Sequence, residues 1–226
     1  MSLALGLLAA LAAWEALAGR LPGIPDAWDV VLVAVLVFPA TFLVVWLLLP
    51  LAPSRRLLAG ALAIGALGVV LYVAGLDGLF NAAKLVAFTL FGFWFLQMLE
   101  ALTWVVLVAA IIPWVDAASV YRGPTKVVVE EQPGLFERIA VSFAVPGEDG
   151  AARLGPPDVI FFALFLAAAA GYGLRVAATW IGMTAALSAT LVATYALDLK
   201  GAARTPRDLA RLPGTERRPA LALAAR

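Results

Sequence analysis

The chain has 226 residues, 64% of them hydrophobic and 14% charged, with a mean hydropathy of +0.98, whereas a soluble domain runs at roughly 45–50% apolar and about 25% charged. A soluble globular protein is therefore excluded, and long apolar runs broken by short polar joints point to a membrane protein with no nucleic-acid partner, while the net charge of +1 carries little information. Cys and His are both absent, which removes disulfides, thiolate metal sites, the HExxH zinc motif, Ser-His and Cys-His dyads and imidazole as a general base.

A bilayer is crossed by about 20 apolar residues in a helix. On that measure helices are predicted over 3–18, 30–52, 57–76, 79–99, 101–121, 159–173 and 176–199, so the fold class expected is an all-α polytopic membrane protein of about seven transmembrane helices. The first is not read as a cleaved signal peptide, because no Lys or Arg precedes its apolar stretch and Glu15 interrupts it. Four segments result: membrane helices over 1–121, a polar loop over 122–157, two further helices over 158–199, and a basic tail over 200–226. The loop carries Pro124, Pro133, Gly134, Pro146, Gly147, Pro156 and Pro157. Within it, 126–129 and 139–145 are rich in β-branched or aromatic residues, and Pro133-Gly134 can connect them as a small hairpin outside the membrane.

Seven spans put Arg55, Arg56 and Arg175 on one side and the remaining Lys and Arg on the other or in the tail. The positive-inside rule then makes the 122–157 loop and the C-terminal tail cytoplasmic in an integral membrane protein, with the N-terminus outside. Glu15, Arg20, Asp26, Asp29, Asp77, Glu100, Arg175 and Asp198 fall near predicted helix ends, where each can reach the headgroups, and Lys84 can snorkel from about one turn inside. Trp14, Trp28, Trp94, Trp104, Trp114 and Trp180 read mostly as interfacial anchors.

Two carboxylates stand apart as candidates for chemistry, because ionisable residues inside a membrane are costly and tend to be functional. Asp116 lies six residues before Arg122, roughly 9 Å in from the helix end at 1.5 Å per residue. Asp158 opens the next helix, and the plain reading of it is an N-cap. If the two helices are neighbours, the pair can share a proton, one carboxylate activating water while the other stays protonated. Two such acids can equally carry protons or cations in a transporter. Pro113, a turn below Asp116, can weaken its helix and admit water, or mark an ordinary membrane kink.

The string Asp116-Ala117-Ala118-Ser119-Val120-Tyr121-Arg122 resembles the first active-site motif of the presenilin family of intramembrane aspartyl proteases, especially its microbial members. Gly155-Pro156-Pro157-Asp158 is similar to the family's second motif, GxGD, and Pro219-Ala220-Leu221 spells its PAL motif. The order of Asp helix, polar loop and GxGD helix is the family's own. The resemblance implies a presenilin-like bundle, catalytic Asp116 and Asp158, and substrate contacts from Gly155, Pro157, Pro219, Ala220 and Leu221. It further implies substrates among single-span membrane proteins or signal-peptide-like segments, no cofactor, no metal, and capture of the substrate as an added strand on 126–129 or 139–145. Oligomeric state and any accessory subunit are left open by the sequence.

Three departures from the family stand out. Val115 occupies the place of an aromatic residue, Pro157 replaces the glycine before the second aspartate, and the chain ends five residues after Leu221, so the family's last helix is expected to be missing. The rival expectations are a presenilin-like protein that binds helices without cutting them, and a proton-linked transporter.

Overall fold

The structure is a computed structural model that describes residues 2–122, 138–147 and 151–202. Seven helices form among them: α1 (Ser2–Ala18), α2 (Asp26–Leu51), α3 (Leu57–Val73), α4 (Asp77–Gln97), α5 (Leu102–Arg122), α6 (Pro156–Gly171) and α7 (Val176–Ala202). Each lies close to where hydropathy predicts it. The stretches Asp26–Leu51, Asp77–Gln97 and Val176–Leu197 are long and apolar enough to cross a membrane, and an α-helix is the natural form for such a run because it satisfies every backbone amide within the segment.

Two helices end earlier than hydropathy alone suggests, for a reason visible in the sequence. After α3, Gly75 adopts φ 71°, its N–H bonds Tyr72 O and the Leu76 N–H bonds Leu71 O. After α6, Gly173 at φ 69° repeats the pattern, with Gly173 bonded to Ala170 and Leu174 to Ala169. Both are Schellman stops, in which a glycine takes the left-handed conformation and the orphan carbonyls of the last turn find donors.

Within α2, residues Val33–Val37 form a π-turn just ahead of Pro39. Proline offers no N–H to the turn before it, and the Phe38 N–H bonds Val33 O rather than Ala34 O. The Ala34 carbonyl is satisfied instead by Ser188 Oγ of α7 at 2.7 Å, which fixes α7 against α2.

The core is built around α4, which packs against α1, α3 and α6. Small residues bring these helices close, as is usual where lipid supplies no hydrophobic drive for association. A Cβ placed on Gly92 would collide with the Ile160 carbonyl and the Ala163 methyl of α6, and one on Gly78 would come within 2.6 Å of the Ala12 carbonyl of α1. Aromatic rings fill the centre: Phe42 of α2 stacks on Phe162 of α6 at 4.0 Å, and Phe38 meets Phe143 of the loop at 5.1 Å. At the far end, Gln97 Nε2 donates to the carbonyls of Ala52 and Ser54, tying the end of α4 to the turn between α2 and α3.

The loop does contribute a two-stranded antiparallel sheet, but with different partners from those expected. Strand β1 (Val141–Ala144) lies within the expected second strand, and it pairs with β2 (Ala151–Leu154) in the register Val141 to Leu154 and Phe143 to Ala152. Its turn begins at Pro146-Gly147, where Gly147 has φ 72°. Residues 126–129 and Pro133-Gly134 lie outside the described residues. Nor does the sheet stand apart from the helices: Val141, Phe143 and Leu154 are buried in the same apolar core as α2, α4 and α6.

Candidate functional site

Asp158 is not the N-cap of its helix. Gly155 holds that position, with φ −63° and ψ 149°, and Pro156 and Pro157 form the first helical residues. Asp158 stands third, its N–H donating to Gly155 O at 3.1 Å. A carboxylate in the first turn still sits favourably against the positive end of the helix dipole. It folds back beside Gly155, where a Cβ would rest at 3.4 Å from Asp158 Oδ2, an ordinary van der Waals contact. Pro157 disturbs little here, because the N–H it lacks is one of the four that a helix start leaves without an intrahelical acceptor.

Asp116 lies in the last two turns of α5, in a helix that continues through Pro113. Its side chain lies outside the described residues, as do Pro219, Ala220 and Leu221. The neighbourhood of α5 is nevertheless defined. Val105 packs against Leu164 and Ala168 of α6, while Val108, Ile111, Ile112 and Val115 face Phe161 across a cleft of about 230 Å³ closed on its third side by Phe95 of α4. The two helices therefore run antiparallel, so the C-terminal part of α5, which carries Asp116, and the first turn of α6, which carries Asp158, lie toward the same end of the pair. The seam is thin. Trp104, Val106, Leu107, Trp114 and Val115 are all more than two-fifths exposed.

The hairpin that leads into α6 is held in the opposite manner, by polar side chains from α1 and α4. Asn81 Nδ2 donates to Ser142 O at 2.6 Å and its Oδ1 accepts from the Ser142 N–H at 2.8 Å. Glu15 accepts from Ser142 Oγ at 2.9 Å and from the Ala144 N–H at 3.0 Å. Trp14 Nε1 donates to Ala144 O at 3.0 Å, and Lys84 Nζ donates to the carbonyls of Ala140 and Arg138. Every outward-facing backbone group of β1 from Ala140 O to Ala144 O thus has a helical side chain as its partner. Two helices stand in for a third strand.

These bonds correct several sequence readings. Glu15 and Lys84 do not reach for headgroups, and Trp14 is not an interfacial anchor; all three grip β1. Asp29 is 6% exposed, inside a cleft of about 260 Å³ that it shares with Asp26, Val145, Ala152 and Tyr195, so it too is no headgroup residue. Trp28, Trp104 and Trp114 are exposed, as anchors would be. The outer edge of β1 is filled, so residues 139–145 do not offer an edge for strand addition. A signal for the grip was present: Asp77, Asn81 and Lys84 form a polar stripe at helical spacing on the first half of an otherwise apolar helix. Among the described residues, no three Asp, Glu, His or Cys side chains gather closely enough to hold a metal ion. Compared with protein-family models, curated proteins and solved structures, the chain matches none.

Proposed function

We propose that this chain is a presenilin-type intramembrane aspartyl protease, with Asp116 and Asp158 as its dyad. The observation that carries the reading is the register of α5 against α6. Two successive helices pack antiparallel, Val105 against Leu164 and Ala168 and Val115 beside the cleft with Phe161, and in that register the two motif aspartates would come to the same end of the pair.

In this reading one aspartate, as its carboxylate, takes a proton from water as the water attacks the scissile carbonyl, and the other, protonated, hydrogen-bonds the developing oxyanion and then protonates the leaving amine. Sharing one proton lets a close pair of carboxyls serve both roles, and the two titrate as a unit. A helical substrate buries its carbonyls in its own hydrogen bonds and must be unwound before it is cut. An extended strand is the simplest unwound form, and β2 is the strand of the hairpin to which it would add, through the outer edge carried by Ala151 and Arg153. β2 ends one residue before Gly155, so a substrate paired there would run toward Asp158. Pro219, Ala220 and Leu221 would contact the same extended segment, and the hairpin end of the bundle would face the cytoplasm.

The transporter reading draws on one observation, the burial of Asp29. Against a polar path through the bundle, Asn81 and Lys84 are committed to the hairpin, Thr89 to the Leu85 carbonyl of its own turn, and Gln97 to the α2–α3 turn.

The test is cleavage of a panel of tagged single-span proteins in liposomes by the purified chain, beside Asp116→Ala and Asp158→Ala. Cleavage by the parent that falls by about 10³-fold or more in each variant, with helix content unchanged, is the expected result. A folded parent that cuts nothing, or a variant that cuts as well as the parent, overturns the assignment.

A further inference from the structure

We infer that Asn81, with Glu15 and Lys84 beside it, is a positioning residue for Asp158, acting through the hairpin; this rests on the protease reading above. The path is short and continuous. Asn81 makes a two-point bond to the backbone of Ser142, donating and accepting as a neighbouring strand would. Ser142 is paired in register with Arg153. Leu154 then runs directly into Gly155, the N-cap of the helix whose third residue is Asp158. Within the hairpin β1 is the strand that packs on α1 and α4, so the depth and tilt of β1 bear directly on where the first turn of α6 begins.

The chemistry of the grip suits positioning better than bulk stability. Glu15, Asn81 and Lys84 come from two helices and bond successive outward groups of one strand, and a slip of β1 by one residue would present each with a group of the wrong kind. Apolar packing of Val141 and Phe143 holds the hairpin in the core, and the hydrogen bonds to alternate backbone groups add a directional fix of its position against α1 and α4. A dyad that works by sharing a proton is sensitive to displacements of this size, since misplacing a reacting group by about 1 Å can cost about 100-fold in rate.

Asn81→Leu keeps the branched shape of the side chain and removes both bonds. It is to be measured in reconstituted full-length chain by amide hydrogen exchange at Ser142 and Ala144, and by kcat and KM on a single-span substrate that the parent cleaves, with Thr89→Val, which loses only a bond within its own turn, as the control for a polar deletion elsewhere in α4. We expect exchange at Ser142 to accelerate about tenfold or more, kcat per folded molecule to fall about 10- to 100-fold, and KM to stay within about twofold, the pattern of an interaction felt only in the transition state. Thr89→Val should leave all three unchanged. Faster exchange with kcat unchanged would show that Asn81 holds the hairpin without positioning Asp158, and unchanged exchange would show that it does not hold the hairpin; either overturns the inference and leaves the protease reading intact. A parent that cleaves no substrate overturns the protease reading, and this inference with it.

Discussion

The hairpin joint and the α5–α6 seam meet at the same end of the bundle, and they are held together in opposite ways. At the joint, four side chains of α1 and α4 bond consecutive backbone groups of β1. At the seam, Val105 packs against Leu164 and Ala168, and beyond that contact α5 borders a cleft and turns most of its apolar surface outward. Hydrogen bonds in a low-dielectric setting fix register, because a mismatched donor or acceptor has no water to fall back on. Apolar contacts in a bilayer fix little, since lipid tails replace a departing helix at small cost. The joint thus fixes one register through hydrogen bonds, whereas the seam is a thin apolar contact; on the protease proposal, the seam is where a substrate helix would enter.

The largest disturbance should come from the contact on which both regions depend, the approach of α4 to α6. Gly92→Leu drives a side chain into the Ile160 carbonyl and the Ala163 methyl, and overpacking of this kind costs typically 1–3 kcal/mol, occasionally more. We expect a clear fall in the unfolding midpoint in detergent; an unchanged midpoint would mean that α6 is not seated on α4, and the comparison would lose its common support.

Next in size is the turn of the hairpin. Gly147 has φ 72° and its N–H donates to Ala18 O at 3.1 Å, so Gly147→Ala places a Cβ in a left-handed residue at a cost of roughly 1–2 kcal/mol, against the backbone of Gly23. Amide exchange should accelerate in β1 and β2 and stay unchanged in α5. Equal acceleration in α5 would show that joint and seam form one cooperative unit.

The smallest effect should come from the seam itself. Ile112→Ala removes a side chain that already borders the cleft, and in place of the 2–5 kcal/mol of a fully packed site we expect less than about 1 kcal/mol in reversible unfolding. A cost at the packed-core level would make the seam a closed interface and remove the basis for lateral opening.

The two candidate aspartates were legible in the sequence for different reasons. Asp116 stood out as a carboxylate well inside an apolar helix, and Asp158 through the Gly-Pro-Pro string and the helix that follows it. What was not legible was the setting of Asp158, where an N-cap was the natural reading. Two prolines in succession displace the cap to Gly155, because both fit the first helical positions, which need no N–H. The grip on β1 was legible only in part: Glu15 and Lys84 read as residues reaching for headgroups, the stripe of Asp77, Asn81 and Lys84 marks a polar face without naming its partner, and only convergence on one strand gives Glu15, Asn81 and Lys84 a shared task.

By itself the sequence determined the helices, since a helix satisfies the backbone of a long apolar run within the run itself. It also determined their ends, through Gly75 and Gly173, and the order in which the two aspartates follow one another. Only the tertiary structure decided that β1 pairs with β2 and turns at Gly147, that helical side chains close the outer edge of β1, and that α5 lies lightly against α6. Those outcomes depend on which surfaces come within hydrogen-bonding or van der Waals reach. Such pairings join residues as far apart as Glu15 and Ala144, a separation at which local periodicity carries no information.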